Sequence, residues 1–95
     1  MTVATSGDAL ENRRKRLIFR SWHRGTREID LIMGAFAEQH VPGFGAAEIA
    51  EYEALLDLPD LDVYDWLVLR VPVAPEHDGP VVRLLLDFVQ NRNQA

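Results

Sequence analysis

The chain has 95 residues, 47% apolar and 26% charged, with a formal net charge of −5 at pH 7, the profile of one globular domain with a modest core. It has no cysteine, which excludes a disulfide framework, a thiolate metal site and a cysteine nucleophile; no apolar run approaches the roughly 18 residues of a membrane span. The charge is uneven: seven of the ten bases lie between Arg13 and Arg27, while Glu28 to Leu69 holds ten acids and no Lys or Arg, a polarised surface suited to steering a partner.

Met1 to Gly7 is small and polar. It is expected to be disordered, leaving 8–95 as a single helical domain. It lacks the charged start and apolar stretch of a secretory signal. Asp8 and Glu11 also fit poorly with a mitochondrial transit peptide, which avoids acids, so the expected location is the cytoplasm. Asp8 and Glu11 have the spacing of an N-cap and its reciprocal partner. They open a helix from Ala9 to His23, with Leu10, Leu17, Ile18 and Trp22 on one face and Arg13, Arg14, Lys15 and Arg16 between. Gly25 accepts the left-handed conformation that ends a helix.

Thr26 caps the second helix, and Glu28 favours the positive end of its dipole. Ile29, Ile32, Met33 and Phe36 follow i, i+3, i+4, i+7 spacing, the clearest amphipathic signal in the chain. Gly34 costs roughly 1 kcal/mol in a helix interior and would admit a close helix crossing. Val41-Pro42-Gly43-Phe44-Gly45 ends the helix near His40. A third helix fits Ala46 to Asp57, with Ile49, Tyr52, Leu55 and Leu56 inward and Glu48, Glu51 and Glu53 solvated.

Leu58-Pro59-Asp60 breaks that helix, and Asp60 is the expected cap of a fourth, from Leu61 to about Leu69. Residues 61–71 are rich in β-formers, which leaves helix and extended structure both open. A lone strand would have no partner, so helix is the favoured reading. Pro72 to Pro80 forms a loop, and a last helix runs to about Asn91 with Val81, Leu84, Leu85 and Phe88 on one face. The expected fold class is all-α, a compact five-helix bundle in a single domain.

Little of this carries chemistry. His23, His40 and His77 are scattered without ligand spacing, so no metal site is expected. Ser21 and His23 point to different sides of a helix and make a poor nucleophile and base, so no catalytic residue is assigned. Gly43-Phe44-Gly45 lacks the context of a phosphate loop. Asp60, Asp62 and Asp65 lack the glycine and distal Glu of a calcium loop. Trp66 and Tyr64 read as core. The Arg13–Arg16 run reads as a solvated helix face, with nucleic-acid contact as the sharper alternative. Arg24-Gly25-Thr26-Arg27-Glu28 is accounted for by capping alone, yet an exposed charged turn between helices equally suits partner docking.

The segment Arg16 to Leu31, with Arg24-Gly25-Thr26-Arg27-Glu28 at its centre, resembles the hallmark of the succinate dehydrogenase flavin-assembly factor family. The hallmark is Arg-Gly-x-x-Glu after a short basic helix, followed by an amphipathic helix ending in a Phe-Ala such as Phe36-Ala37. The resemblance continues in Leu55-Leu56, Asp60-Leu61-Asp62 and Trp66-Leu67, fades from Pro72 to Pro80, and returns weakly at Val89 to Asn93. It implies a five-helix assembly factor that is not itself an enzyme. Such a factor binds the flavoprotein subunit of succinate dehydrogenase, or of fumarate reductase, and promotes covalent attachment of FAD to a client histidine.

By position, Arg24, Gly25 and Glu28 would form the client contact, with Arg20, Arg27 and Asp30 flanking it. Position 25 would need a small residue for close approach. FAD would be the client's cofactor, with none bound stably here. A monomer is expected, with no nucleic-acid partner and no membrane insertion. A generic interaction adaptor or antitoxin-like regulator, or a small nucleic-acid-binding protein, are the alternatives.

Overall fold

The amphipathic signal at Ile29 to Phe36 lies at the centre of the molecule. In the structure, a computed structural model that describes residues 6–94 and the side chains of 9–92, five helices pack around it. They are α1 (Ser6–Trp22), α2 (Arg27–His40), α3 (Ala46–Leu56), α4 (Asp60–Leu67) and α5 (Pro80–Gln94). Short 3-10 turns occupy Val41–Gly43 and Pro75–His77. The all-α expectation holds, and residues 61–67, which propensity left open, are helical. Burying Val63, Trp66 and Leu67 against the core outweighs a local β preference.

Boundaries moved where local signals misled. α1 starts at Ser6, so Asp8 lies inside the first turn and is not its cap; residues 1–5 of the expected disordered start lie outside the described residues. Pro59, with extended backbone, takes the cap position of α4, and Asp60 is the first helical residue. α4 stops at Leu67 because the chain turns left-handed at Leu69 (φ 60°). There the Arg70 amide donates to the Asp65 carbonyl (2.9 Å) and the Leu69 amide to that of Trp66 (3.1 Å), the paired bonds of a Schellman ending. α5 runs on to Gln94, with Val81, Val82, Leu85 and Val89 buried and Leu84 and Phe88 half-buried.

Phe36 is fully buried at the aromatic centre, with ring centroids 5.6 Å from Tyr52, 5.7 Å from Phe88 and 6.4 Å from Phe44. α1 lies across α2 at Gly34, where a Cβ would meet the Trp22 ring at 2.1 Å; the close crossing foreseen for this glycine is present. Ser21 is a fully buried polar residue. Its hydroxyl donates to the Leu17 carbonyl (2.8 Å) and accepts from the Tyr52 hydroxyl (2.7 Å), so neither group is left unsatisfied.

Burial pushes the Tyr52 phenol up to about 12, only partly offset by the Ser21 bond and the Arg24 and Arg20 charges. A phenol whose folded pKa exceeds its ordinary 10.0 contributes stability that is whole below pH 10 and disappears as pH rises through 12. Urea titrations at pH 9, 10 and 11 should show the first part of this loss, which is on the order of 3 kcal/mol in full. Tyr52→Phe should flatten that alkaline limb while costing about 1 kcal/mol at neutral pH.

The acids of α3 are not the solvated face expected. Glu48 accepts from the Gly45 amide (2.9 Å) and closes its own helix start. Glu53 forms a two-point pair with Arg13 (2.7 and 3.1 Å). Glu51 reaches across to accept from the Val81 (2.9 Å) and Val82 (3.2 Å) amides, capping α5 from thirty residues away. Gly79 leaves room for it, since a Cβ there would lie 2.7 Å from the carboxylate. Glu51→Ala should lower stability by about 1–2 kcal/mol through loss of this cap, read as a fall in thermal midpoint of about 4–8 °C per kcal/mol.

Candidate partner-binding site

The basic run of α1 divides once its neighbours are placed. Arg13 is paired with Glu53, whose carboxylate it holds below the usual range. Arg14 donates twice to the Phe44 carbonyl (2.8 and 3.1 Å), tying α1 to the loop before α3. Lys15 and Arg16 are exposed. Half of the run expected to be a solvated face is therefore tertiary glue.

Past α1, the chain turns through 23–26. Gly25 has φ +125°, a conformation that L side chains rarely adopt. A Cβ at Gly25 would meet nothing closer than Asp60 Oδ2 at 3.6 Å, so backbone conformation, not crowding within the chain, demands glycine. Asp30, one turn into α2, accepts from the Arg24 amide (2.6 Å) and the Gly25 amide (3.1 Å) through the same carboxylate oxygen. Thr26 accepts from the Ile29 amide (3.4 Å) as the cap of α2. Asp30 and Thr26 thus anchor the backbone from Arg24 into the first turn of α2.

Arg24 points inward. Its side chain is only 7% exposed. The guanidinium donates to the Leu56 carbonyl and to the Leu58 carbonyl (2.8 Å), and pairs with Asp60 at 2.6 Å. Leu56 and Leu58 lie where α3 ends, so a fixed cation meets carbonyls at the negative end of a helix. A planar fork engages three acceptors that a point charge could not span. In the folded chain the Arg24 charge is paired within the molecule, clasping the α1–α2 turn to the α3–α4 junction.

The other site residues separate in the same way. Arg20 pairs with Asp57 (2.8 Å), an exposed pair beside the clasp, and Asp30 is half-buried as the turn's anchor. Gly25, Arg27 and Glu28 are exposed. Arg24 and Asp30 thus hold the turn, Arg20 stays beside it in its pair with Asp57, and Gly25, Arg27 and Glu28 form its outer surface. The sequence reading missed Leu61 and Tyr64, which line a groove with Glu28. Leu61 stood out only as part of an acidic triplet, and Tyr64, which read as core, does pack against the core while its half-buried side chain also lines the groove.

The chain is a small all-helical domain that locks one turn with its own charges and leaves others facing outward. The family model described as the flavinator of succinate dehydrogenase matches residues 15–89, and the chain belongs to that family. It is 39% identical over 80 residues to the FAD assembly factor SdhE of Acetobacter pasteurianus, covering 84% of this chain and 73% of that protein. It is 32% identical over 96 residues to the mitochondrial succinate dehydrogenase assembly factor 2 of Debaryomyces hansenii, covering 97% and 68%. With the mitochondrial succinate dehydrogenase assembly factor 2-B of Drosophila melanogaster it shares 34% over 90 residues, covering 93% of this chain and 58% of the fly protein. No helix among the described residues is long and apolar enough to cross a membrane.

Proposed function

We propose that this chain is a non-catalytic assembly factor that binds the flavoprotein subunit of succinate dehydrogenase and promotes covalent attachment of FAD to a histidine of that subunit. Membership of the flavinator family supports the client. The observation that carries the site is the clasped turn, which presents Gly25, Arg27 and Glu28 on a backbone fixed by Asp30 and Arg24. The bond between histidine and flavin forms in the client's own site, so the helper has only to hold client groups in reactive geometry. It does so by binding one client conformation better than another. A preformed turn suits that task because little ordering remains for the moment of binding.

In this reading the chain works as a cytoplasmic monomer of the bacterial type and also serves the flavoprotein subunit of fumarate reductase. FAD belongs to the client, and this chain holds none stably. Incubating purified apo-flavoprotein subunit with FAD, with and without this chain, tests it: in-gel flavin fluorescence should rise when the chain is present. Equal covalent flavin in the two reactions would sink the proposal.

A further inference from the structure

Beside the turn lies a groove of about 470 Å³, walled by Thr26, Glu28 and Ile29 of α2 and by Asp60, Leu61 and Tyr64 of α4. Ile29 is 3% exposed and contributes to the core as well as to the groove. α4 has two apolar faces although it has only eight residues. Val63, Trp66 and Leu67 face the core, while Leu61, Tyr64 and the C-cap residue Val68 recur at i, i+3, i+7; Tyr64 is half-buried, packing against the core as well as lining the groove. Leu61 is 67% exposed and Val68 42%. A single exposed leucine needs no explanation; one that walls a groove at the head of an apolar stripe is a different matter.

The groove is continuous with the turn, because Glu28 belongs to both. It is also built by the turn's own clasp: Asp60, which starts α4, is the carboxylate that Arg24 holds. The charged groups of the lining, Glu28 and Asp60, are both acidic, and because Asp60 is already paired with Arg24, Glu28 is the carboxylate left for a partner. An apolar floor with an exposed carboxylate on its rim suits a large apolar side chain next to a lysine or arginine.

We infer that this groove is a second client-contact element, and that it receives an apolar side chain flanked by a basic one from the flavoprotein subunit. The inference rests on the function proposed above and extends it from the turn to α4. On this account Arg24 serves recognition indirectly, by fixing the wall on which Leu61 and Tyr64 stand.

Leu61→Asp tests it, because the outward side chain can change without opening the core. Ala47→Asp, an added carboxylate at another exposed position, controls for charge. Binding of each to the purified succinate dehydrogenase flavoprotein subunit is measured by calorimetric titration, alongside covalent flavin yield and circular dichroism. Leu61→Asp should weaken binding roughly tenfold or more, with Leu61→Met and Ala47→Asp within about twofold of wild type. If the wild-type chain drives flavinylation and Leu61→Asp binds as tightly as it does, the groove is not a contact while the proposed function stands. If the wild-type chain neither binds nor drives flavinylation, the functional reading itself fails. A groove closed by a second copy would instead appear as wild-type self-association lost in Leu61→Asp, with client affinity unchanged, and would also overturn the inference.

Discussion

Arg24→Ala is expected to lower the stability of the folded chain by about 3–5 kcal/mol, the range for breaking a buried charged network by removing one partner. The loss has a definite source. The Leu56 and Leu58 carbonyls and the Asp60 carboxylate now share one guanidinium, and alanine leaves all three short of a donor. For a domain whose whole stability is on the order of 5–15 kcal/mol, that is a large fraction. Arg24→Lys should recover only part of it, because an ammonium cannot fork across acceptors from two helices. Chemical denaturation measures the effect, and flavin yield should fall with it as the α3–α4 junction loosens. An Arg24→Ala chain that melts like wild type yet fails to bind client would show instead that the guanidinium is a direct contact and that the clasp is incidental.

Gly34→Ala should also destabilise, against the usual expectation for a glycine inside a helix. Propensity alone would favour the alanine by about 1 kcal/mol. The added methyl, however, would sit 2.1–2.5 Å from three atoms of the Trp22 ring, well inside any real carbon contact. The ring would have to leave the crossing and give up its indole bond to Glu38 (3.0 Å), and Trp22 is the last helical residue before the turn. Overpacking of this kind costs about 1–3 kcal/mol, so a net loss of up to about 2 kcal/mol is expected once propensity is credited. Urea melts measure the loss, and the Trp22 indole proton resonance reports the displacement. Combining Gly34→Ala with Trp22→Leu should restore part of the stability, since the methyl then meets a smaller side chain. No recovery in the double variant would point away from the crossing as the cause.

Helices α2 and α3 were legible because their information is local. Ile29, Met33 and Phe36 repeat on one face, Thr26 and Glu28 mark a start, and Pro42 with Gly43 marks an end; each acts within a few residues. Gly25 was legible for a similar reason, since a helix stop followed at once by a helix start calls for a residue that tolerates positive φ. α4 was ambiguous because its residue types suit a strand as well as a helix, and only the absence of a pairing strand spoke for helix. Two of the three acids of α3 were misread as a solvated face because their partners lie far away in sequence: Arg13 for Glu53 and the α5 amides for Glu51. No periodicity carries that information, since nothing in the spacing of Glu51 refers to Val81.

The same division runs through the candidate site. By itself, the sequence determined an all-helical chain, a glycine-bearing turn between a basic and an acidic helix, and a hallmark specific enough to indicate the family. It did so because helix periodicity, capping and turn conformation are short-range, and because a motif is a string of residues. Only the tertiary structure decided which charges of that turn remain available to another molecule. Arg24 and Glu28 stand four residues apart and look equivalent in the motif. Yet the first is folded against the end of α3 and the start of α4, while the second stays in solvent on the wall of a groove. The difference arises from desolvation: a cation is buried only where enough acceptors converge to replace its water, and those acceptors come from residues more than thirty positions down the chain.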